Sequence, residues 1–320
     1  MIYKVGTCSP SDPALRLAVE IILGGGIVAV PTETVYGLAA NALDEAAVRK
    51  VFLAKGRPFI DPLIAHVPDF SALEKIAVPN GSARRLAEAF CPGPITFVLE
   101  KRACVPDVVS AGRPTVAVRI PSHPVMRAFM EMAGVPISAP SANPFGYVSP
   151  TRAEHVEAQL GSKVGAVLDG GPCECGVEST IVMLSDESNP MLLRPGPVPR
   201  SEIERVLGRR LADPKDNNPA HPQAPGMLKT HYSPLASVEL FDKPRNFGGG
   251  CAVIYASRPA SPGPDEFWLS ESGDDAEAAR NLFSLMRALD GKYSKIFCQR
   301  LASGALAEAV NDRLSRAAAK

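Results

Sequence analysis

The chain is 320 residues long, 46% hydrophobic and 21% charged, the balance of a globular protein with room for a sizeable core and for two domains. Its 34 basic side chains equal its 34 acidic ones, which argues against a protein that lives on phosphate-backbone contacts. No stretch approaches the ~20 apolar residues of a membrane span, MIYKVGTCSP has no secretory h-region, and seven scattered cysteines suit a reducing compartment. The expectation is a cytoplasmic protein with no membrane partner.

In chain order, an amphipathic helix is expected over 15–23 and a short buried strand over 27–30, entered through GGG. A second helix over 45–54 opens on Asp44 as N-cap. Strands follow at 63–67, 96–100, 115–121, 135–140, 166–171, 179–184 and 191–196, with helices over 82–90 and 201–207. Strands alternating with helices predict an α/β domain over 1–207 with an open, mixed, largely parallel sheet. Residues 208–236 hold a proline-rich linker, since 212–234 carries five prolines and little apolar content. The pattern restarts with strands at 237–241, 251–256, 266–270 and 295–299 and helices over 274–290 and 303–318. This is a second, smaller, Rossmann-like α/β domain over 237–320.

Several signatures are absent. There is no G-x-x-x-x-G-K-[ST], H-E-x-x-H or G-x-S-x-G, and the GGG at 24–26 precedes its strand instead of following it. The pair Cys173–Cys175 has no partner cysteines or histidines at metal spacing and reads as loop thiols.

Polar clusters at strand ends stand out instead. VPTETVYGL (30–38) places Thr32, Glu33, Thr34 and Tyr36 behind an apolar run, where a plain turn would use Asn, Asp or Gly. AKGRPFIDPLIAHV (54–67) adds Lys55 and Arg57 to a helix already bearing Arg49 and Lys50, with no acid between Ala46 and Ile60. Such a group needs solvent or an anion, and both residues are expected to face a cleft. ISAPSANPFGYVSPT (137–151) offers small hydroxyls and an amide on a stiff loop, which can donate to phosphate oxygens or simply satisfy the turn. Arg119 interrupts the strand TVAVRIP, and Glu178-Ser179-Thr180 repeats the theme of hydroxyls at a strand edge. No nucleophile sits near a base. A cleft for a small polyanion and a small polar ligand fits better than covalent catalysis.

PTETVYGL, Lys55-Gly56-Arg57-Pro58, D-P-L-I-x-H-V and Ser141-Ala142-Asn143, in this order, resemble the threonylcarbamoyl-AMP synthases with the YrdC-type fold. PGMLKTHYSP (225–234) and the domain beyond it resemble the long form of that family. The resemblance implies a nucleotidyltransferase that makes threonylcarbamoyl adenylate and pyrophosphate from L-threonine, bicarbonate (or CO2) and ATP, with Mg2+. It implies a place in t6A modification of tRNA, downstream tRNA-modifying partners, and a weak tRNA contact at most. By the same resemblance Lys55, Arg57, Ser141 and Asn143 are the catalytic tetrad. Asp61, Thr115, Ser149, Arg194 and Tyr232 join them around ATP. Thr34, His66, Arg119, Ala139 and Ser179 surround threonine. An acid at 61, where the family often has Asn, points to a ribose or magnesium contact. The segment at 225–234, with Met227, Leu228, His231 and Tyr232, is expected to close as a lid over the bound nucleotide. The competing reading is an RNA-binding module without catalysis, which the 19 basic and 21 acidic residues of 1–207 disfavour.

Overall fold

The computed structural model describes residues 1–214, 222–227 and 231–319. Its large sheet has eleven strands. From one edge they run Ile2–Lys4, Ala166–Asp169, Val28–Val30, Gly37–Asn41 and Ile137–Ser138. The order continues with Ile64–His66, Thr115–Arg119, Ile95–Lys101, Thr180–Met183 and Met191–Arg194, and Ala77–Val78 pairs with Ile95–Lys101. Among the described residues, four of its pairings are parallel and six antiparallel. The smaller sheet runs Ser237–Phe241, Lys295–Gln299, Ala252–Ser257, Glu266–Ser270, and its three pairings are all parallel. The sheet is mixed as expected, and its parallel majority appears only when the second sheet is counted.

Helix starts follow the local chemistry. Asp12, Asp44, Asp69, Asn80 and Asp274 each accept backbone N–H bonds at the head of a helix and satisfy donors that the helix cannot. Elements not expected from the pattern include the strand Gly37–Asn41 and the helices Pro124–Ala133 and Ala153–Leu160. The first of these matters most. Val30 pairs with Gly37 in an antiparallel register, so the polar stretch 31–36 is the return of a hairpin. That return is buried, and a buried loop must satisfy its own backbone. Thr32 Oγ1 donates to Val35 O (2.6 Å) and accepts from the amides of Thr34 and Val35, while Tyr36 N donates to Pro150 O (2.8 Å).

The C-terminal domain does not hang from a tether. Val35, Val148, Val177 and Tyr232 share one apolar cluster with Leu282, Phe283 and Val310 from the helices Asp275–Leu289 and Ala307–Ala317. Arg287 Nε donates to Ser149 O (3.2 Å), and the Thr151 and Ser284 hydroxyls meet at 2.7 Å. Gly176 sits where this contact is tightest. Its φ is +74°, and a Cβ there would lie 2.4 Å from Arg280 Cα. Gly176→Ala is therefore expected to prise the second domain from the first and to lower the urea unfolding free energy by roughly 1–3 kcal/mol. An unchanged urea midpoint would show that the domain contact yields freely.

Candidate active site

The cavity opens where three strands end and the hairpin returns. Thr34 comes from the return, His66 and Arg119 from the C-terminal ends of neighbouring parallel strands, and Ala139, Pro140 and Ser141 from the stretch following Ile137–Ser138. Glu178, Ser179 and Arg194 close one side, and Pro225, Gly226, His231 and Tyr232 form the roof. The volume is about 40 Å³, enough for a few waters. A nucleotide needs a pocket of several hundred Å³, on the order of 300–1,000. The roof must lift to admit one.

Lys55 and Arg57, expected at the cleft surface, are buried, at 4% and 6% exposure. Lys55 Nζ has exchanged water for two carbonyls, those of Ser141 and Asn143 (2.6 Å to the latter). Burial and then the neighbouring Arg57 charge push its ammonium well below the usual lysine range. Its geometry is that of a brace on the 141–143 loop. Arg57 lines the cavity and reaches Asp61 Oδ2 at 2.9 Å, with Nε on Asp61 O (3.1 Å) and Nη2 on Pro62 O (2.8 Å). Asp61 is thus Arg57's buried counter-charge, set outside the cavity lining, and neither of its carboxylate oxygens has an aligned hydrogen bond among the described residues. The apparent lack of counter-charge around residues 49–57 also disappears, because Arg49 pairs with Glu45 and Lys50 donates to Gly25 O.

Arg119 Nη2 lies 2.7 Å from Glu33 Oε1, both almost fully buried, and Nη1 donates to Thr34 Oγ1 (2.9 Å). The ion pair is close but misaligned for a hydrogen bond, which leaves Arg119 Nε and Nη2 and both Glu33 oxygens without one among the described residues. Burial pushes the Glu33 carboxyl up, but the Arg119 charge and neighbouring N–H donors together hold the group below its ordinary value. His66 lies against the same arginine. Burial, then Arg119, depresses its pKa to about 3, so the ring is neutral near pH 7. Its Nδ1 faces Ile137 O at 3.3 Å. With the proton on that nitrogen, Nε2 is an acceptor.

Arg194 donates through Nε to Ser179 O (3.1 Å), through Nη2 to Ser179 Oγ (3.2 Å) and through Nη1 to Pro225 O (3.2 Å). Among the described residues it has no carboxylate at ion-pair distance, so it is the cavity's uncompensated cation. Ser149 stands behind the wall and donates to Glu178 Oε1 (2.5 Å), while Asn143 Nδ2 donates to Pro144 O and Tyr147 O. Thr115 shares the sheet face of Arg119 but sits four residues away along the strand, about 13 Å, and is outside the lining.

The roof is already seated. Met227 and Ala224 pack on Ile64, Val98 and Ala117, and Ser233 N donates to Gly146 O (2.8 Å). Leu228 lies outside the described residues. Tyr232 is buried at φ +61°, a left-handed conformation that costs a non-glycine residue strain. Its hydroxyl and His231 Nδ1 have no hydrogen-bond partner among the described residues. The segment expected to act as a lid roofs the cavity in a strained conformation. Three participants escaped the sequence reading of the site. Glu33 and Glu178 stood inside quoted motifs but offered no sign of pairing, and Arg313 reaches the cavity wall from the second domain.

Against known proteins, the family model Sua5/YciO/YrdC, described as telomere recombination, matches residues 20–196. A model described as threonylcarbamoyl-AMP synthase, C-terminal domain, matches 198–319. The threonylcarbamoyl-AMP synthase of Pyrococcus abyssi is 41% identical, over 95% of this chain and 93% of its own. That of Bacillus subtilis is 44% identical, over 72% and 68%. The crystal structure of P. abyssi Sua5 complexed with L-threonine superposes with a TM-score of 0.90 at 38% identity, covering 99% of this chain and 97% of that one.

The depressed His66 value has a measurable consequence. The unfolded chain binds a proton that folded His66 refuses, so its stabilising contribution is complete above the ordinary histidine range and is lost as pH falls from about 6.5 towards about 3. The slope from this one residue is at most about 1.4 kcal/mol per pH unit. Urea unfolding between pH 4 and 7 should show a shallower decline for His66→Gln than for the native chain. Parallel curves would mean that the ring is solvated.

Proposed function

Because the chain belongs to the Sua5/YciO/YrdC family of threonylcarbamoyl-AMP synthases, we propose that its cavity joins L-threonine, bicarbonate (or CO2) and ATP into threonylcarbamoyl adenylate, releasing pyrophosphate. The observation that carries this reading is the convergence of three guanidiniums, Arg57, Arg119 and Arg194, with a neutral imidazole and small hydroxyls on one roofed cavity.

The chemistry asks for that set. Carbamoylation of the threonine amine produces a carboxylate, and this must attack an anionic α-phosphate. Preorganised positive charge and alignment answer the repulsion, and no nucleophilic side chain is required. At the threonine end, Arg119 Nε and Nη2 are free of aligned bonds and suit a carboxylate as a fork. The Nε2 of His66 suits the substrate hydroxyl, and Thr34, Ala139 and Ser179 shape the space for a small side chain. At the nucleotide end, Arg194 and Arg57 face the phosphates, and Lys55 holds Ser141 and Asn143 in place from behind. Tyr232 and His231 exclude water from a mixed anhydride that hydrolyses readily.

Among the described residues no group of three or more His, Cys, Asp or Glu side chains could hold a metal. Glu33, Asp61 and Glu178 are each taken by an arginine. The described carboxylates do not make a magnesium cage, and Mg2+ belongs in this reading to the nucleotide. The relatives' names favour synthesis over the alternative of a purely RNA-binding module. A tRNA-modifying machinery downstream is the consumer this product calls for. No helix among the described residues is long and apolar enough to cross a membrane.

The direct test is pyrophosphate release from ATP, with and without L-threonine and bicarbonate. Release that ignores threonine would sink the assignment. Valine, which fills the space but leaves the hydroxyl's partner unpaired, should be rejected by about 10⁴-fold or more, and serine by about 10–200-fold. A preference for valine over serine would move hydroxyl recognition elsewhere.

Tyr232→Ala is expected to open the roof. Pyrophosphate release should fall, and the recovered adenylate should fall further, because water reaches the anhydride. A ratio of adenylate to pyrophosphate equal to that of the native chain would relieve Tyr232 of water exclusion.

A further inference from the structure

The helix Ala307–Ala317 of the C-terminal domain carries Arg313, 1% exposed and the bulkiest of the fully buried side chains. Its Nε donates to Glu178 Oε2 (2.9 Å), its Nη2 to Glu178 O (3.2 Å) and its Nη1 to Pro195 O (2.7 Å) and Asp312 Oδ2 (2.9 Å). Its guanidinium carbon stands 5.5 Å from the ring centroid of Tyr232. One side chain of the second domain thus grips a carboxylate in the cavity wall, the backbone beside Arg194 and the roof.

Glu178 is the reason this grip matters. Glu178 is one of the residues lining a cavity whose cations await a polyanion, and an unpaired acid in that wall would repel the same ligand. Its other oxygen accepts from Ser149 Oγ. With Arg313 in place the carboxylate is turned between Ser149 and the second domain, and its charge is cancelled.

We propose that Arg313 is a positioning residue through which the C-terminal domain sets nucleotide affinity, by neutralising and orienting Glu178 and backing Tyr232. The inference rests on the reading of this cavity as an ATP site. It gives the second domain a chemical role, because that domain supplies the counter-charge that the first domain lacks at Glu178.

The experiment uses the full chain and measures pyrophosphate release while ATP and L-threonine are varied separately. Arg313→Met should raise KM for ATP by about tenfold or more and leave KM for L-threonine within about twofold, with Arg313→Lys in between. Adding Glu178→Gln to Arg313→Met should recover most of the ATP affinity, since the charge that needed cancelling is gone. Equal effects on both substrates, or a double variant no better than Arg313→Met, would overturn the proposal and reduce Arg313 to a domain fastener. Should Arg313→Met fail to fold, the double variant alone decides: near-native KM for ATP supports the proposal and a tenfold rise overturns it. Threonine-independent turnover by the native chain would instead mark failure of the underlying assignment.

Discussion

Three buried arginines meet three buried carboxylates around one cavity, Arg57 with Asp61, Arg119 with Glu33 and Arg313 with Glu178, and the surrounding structure depends on these pairs. A guanidinium removed from water needs a charged partner close by. Each pair therefore dictates what the backbone near it must do. Arg57 draws the carbonyls of Asp61 and Pro62 inward, Arg119 ties the hairpin return to the central strands, and Arg313 ties the second domain to the loop at 178–180. The pairs also leave a remainder. Arg194 lacks a carboxylate among the described residues, and Arg119 keeps donors without aligned bonds, so the cavity retains positive character for an anionic guest.

The fold makes this arrangement reachable. His66 and Arg119 lie directly opposite each other in a parallel register, so two strands deliver an imidazole and a guanidinium to the same spot. The antiparallel return at 31–36 brings Thr34 and Glu33 across from them. Sheet ends are where side chains can converge without breaking the ladder, and this sheet devotes three of its ends to one cavity. The roof adds the second domain's contribution. Tyr232 keeps its strained conformation between Phe283 on one side and Arg313 on the other, so the second domain packs directly on the roof. Strain of this kind persists where the surroundings over-determine it.

Several features were legible in the sequence. Strands such as 237–241, 266–270 and 295–299 could be read residue for residue, because β-branched and aromatic runs bounded by turn residues have few other solutions. The helix at 45–55 was announced by Asp44 and ended at Gly56 in the left-handed conformation. Thr34, Arg57, His66, Arg119, Ser141, Ser179 and Arg194 were recognisable as a set through the resemblance to known synthases, and the structure brings them to one cavity. The strand Gly37–Asn41 was hidden because GLAAN is small and apolar, with neither alternation nor β-branching to mark it.

Sequence by itself determined the α/β class, the proline-rich break between the two halves and which polar residues cluster at strand ends, because these follow from local periodicity and residue chemistry. Only the tertiary structure decided which charges face each other. Asp61 as the partner of Arg57 and Glu33 as the partner of Arg119 depend on side-chain directions that spacing does not encode. The pairing of Arg313 with Glu178 spans 135 residues and two domains. On a helical wheel an arginine reads as a solvated face, and only the packing of one domain on the other turns it into the counter-charge of a cavity wall.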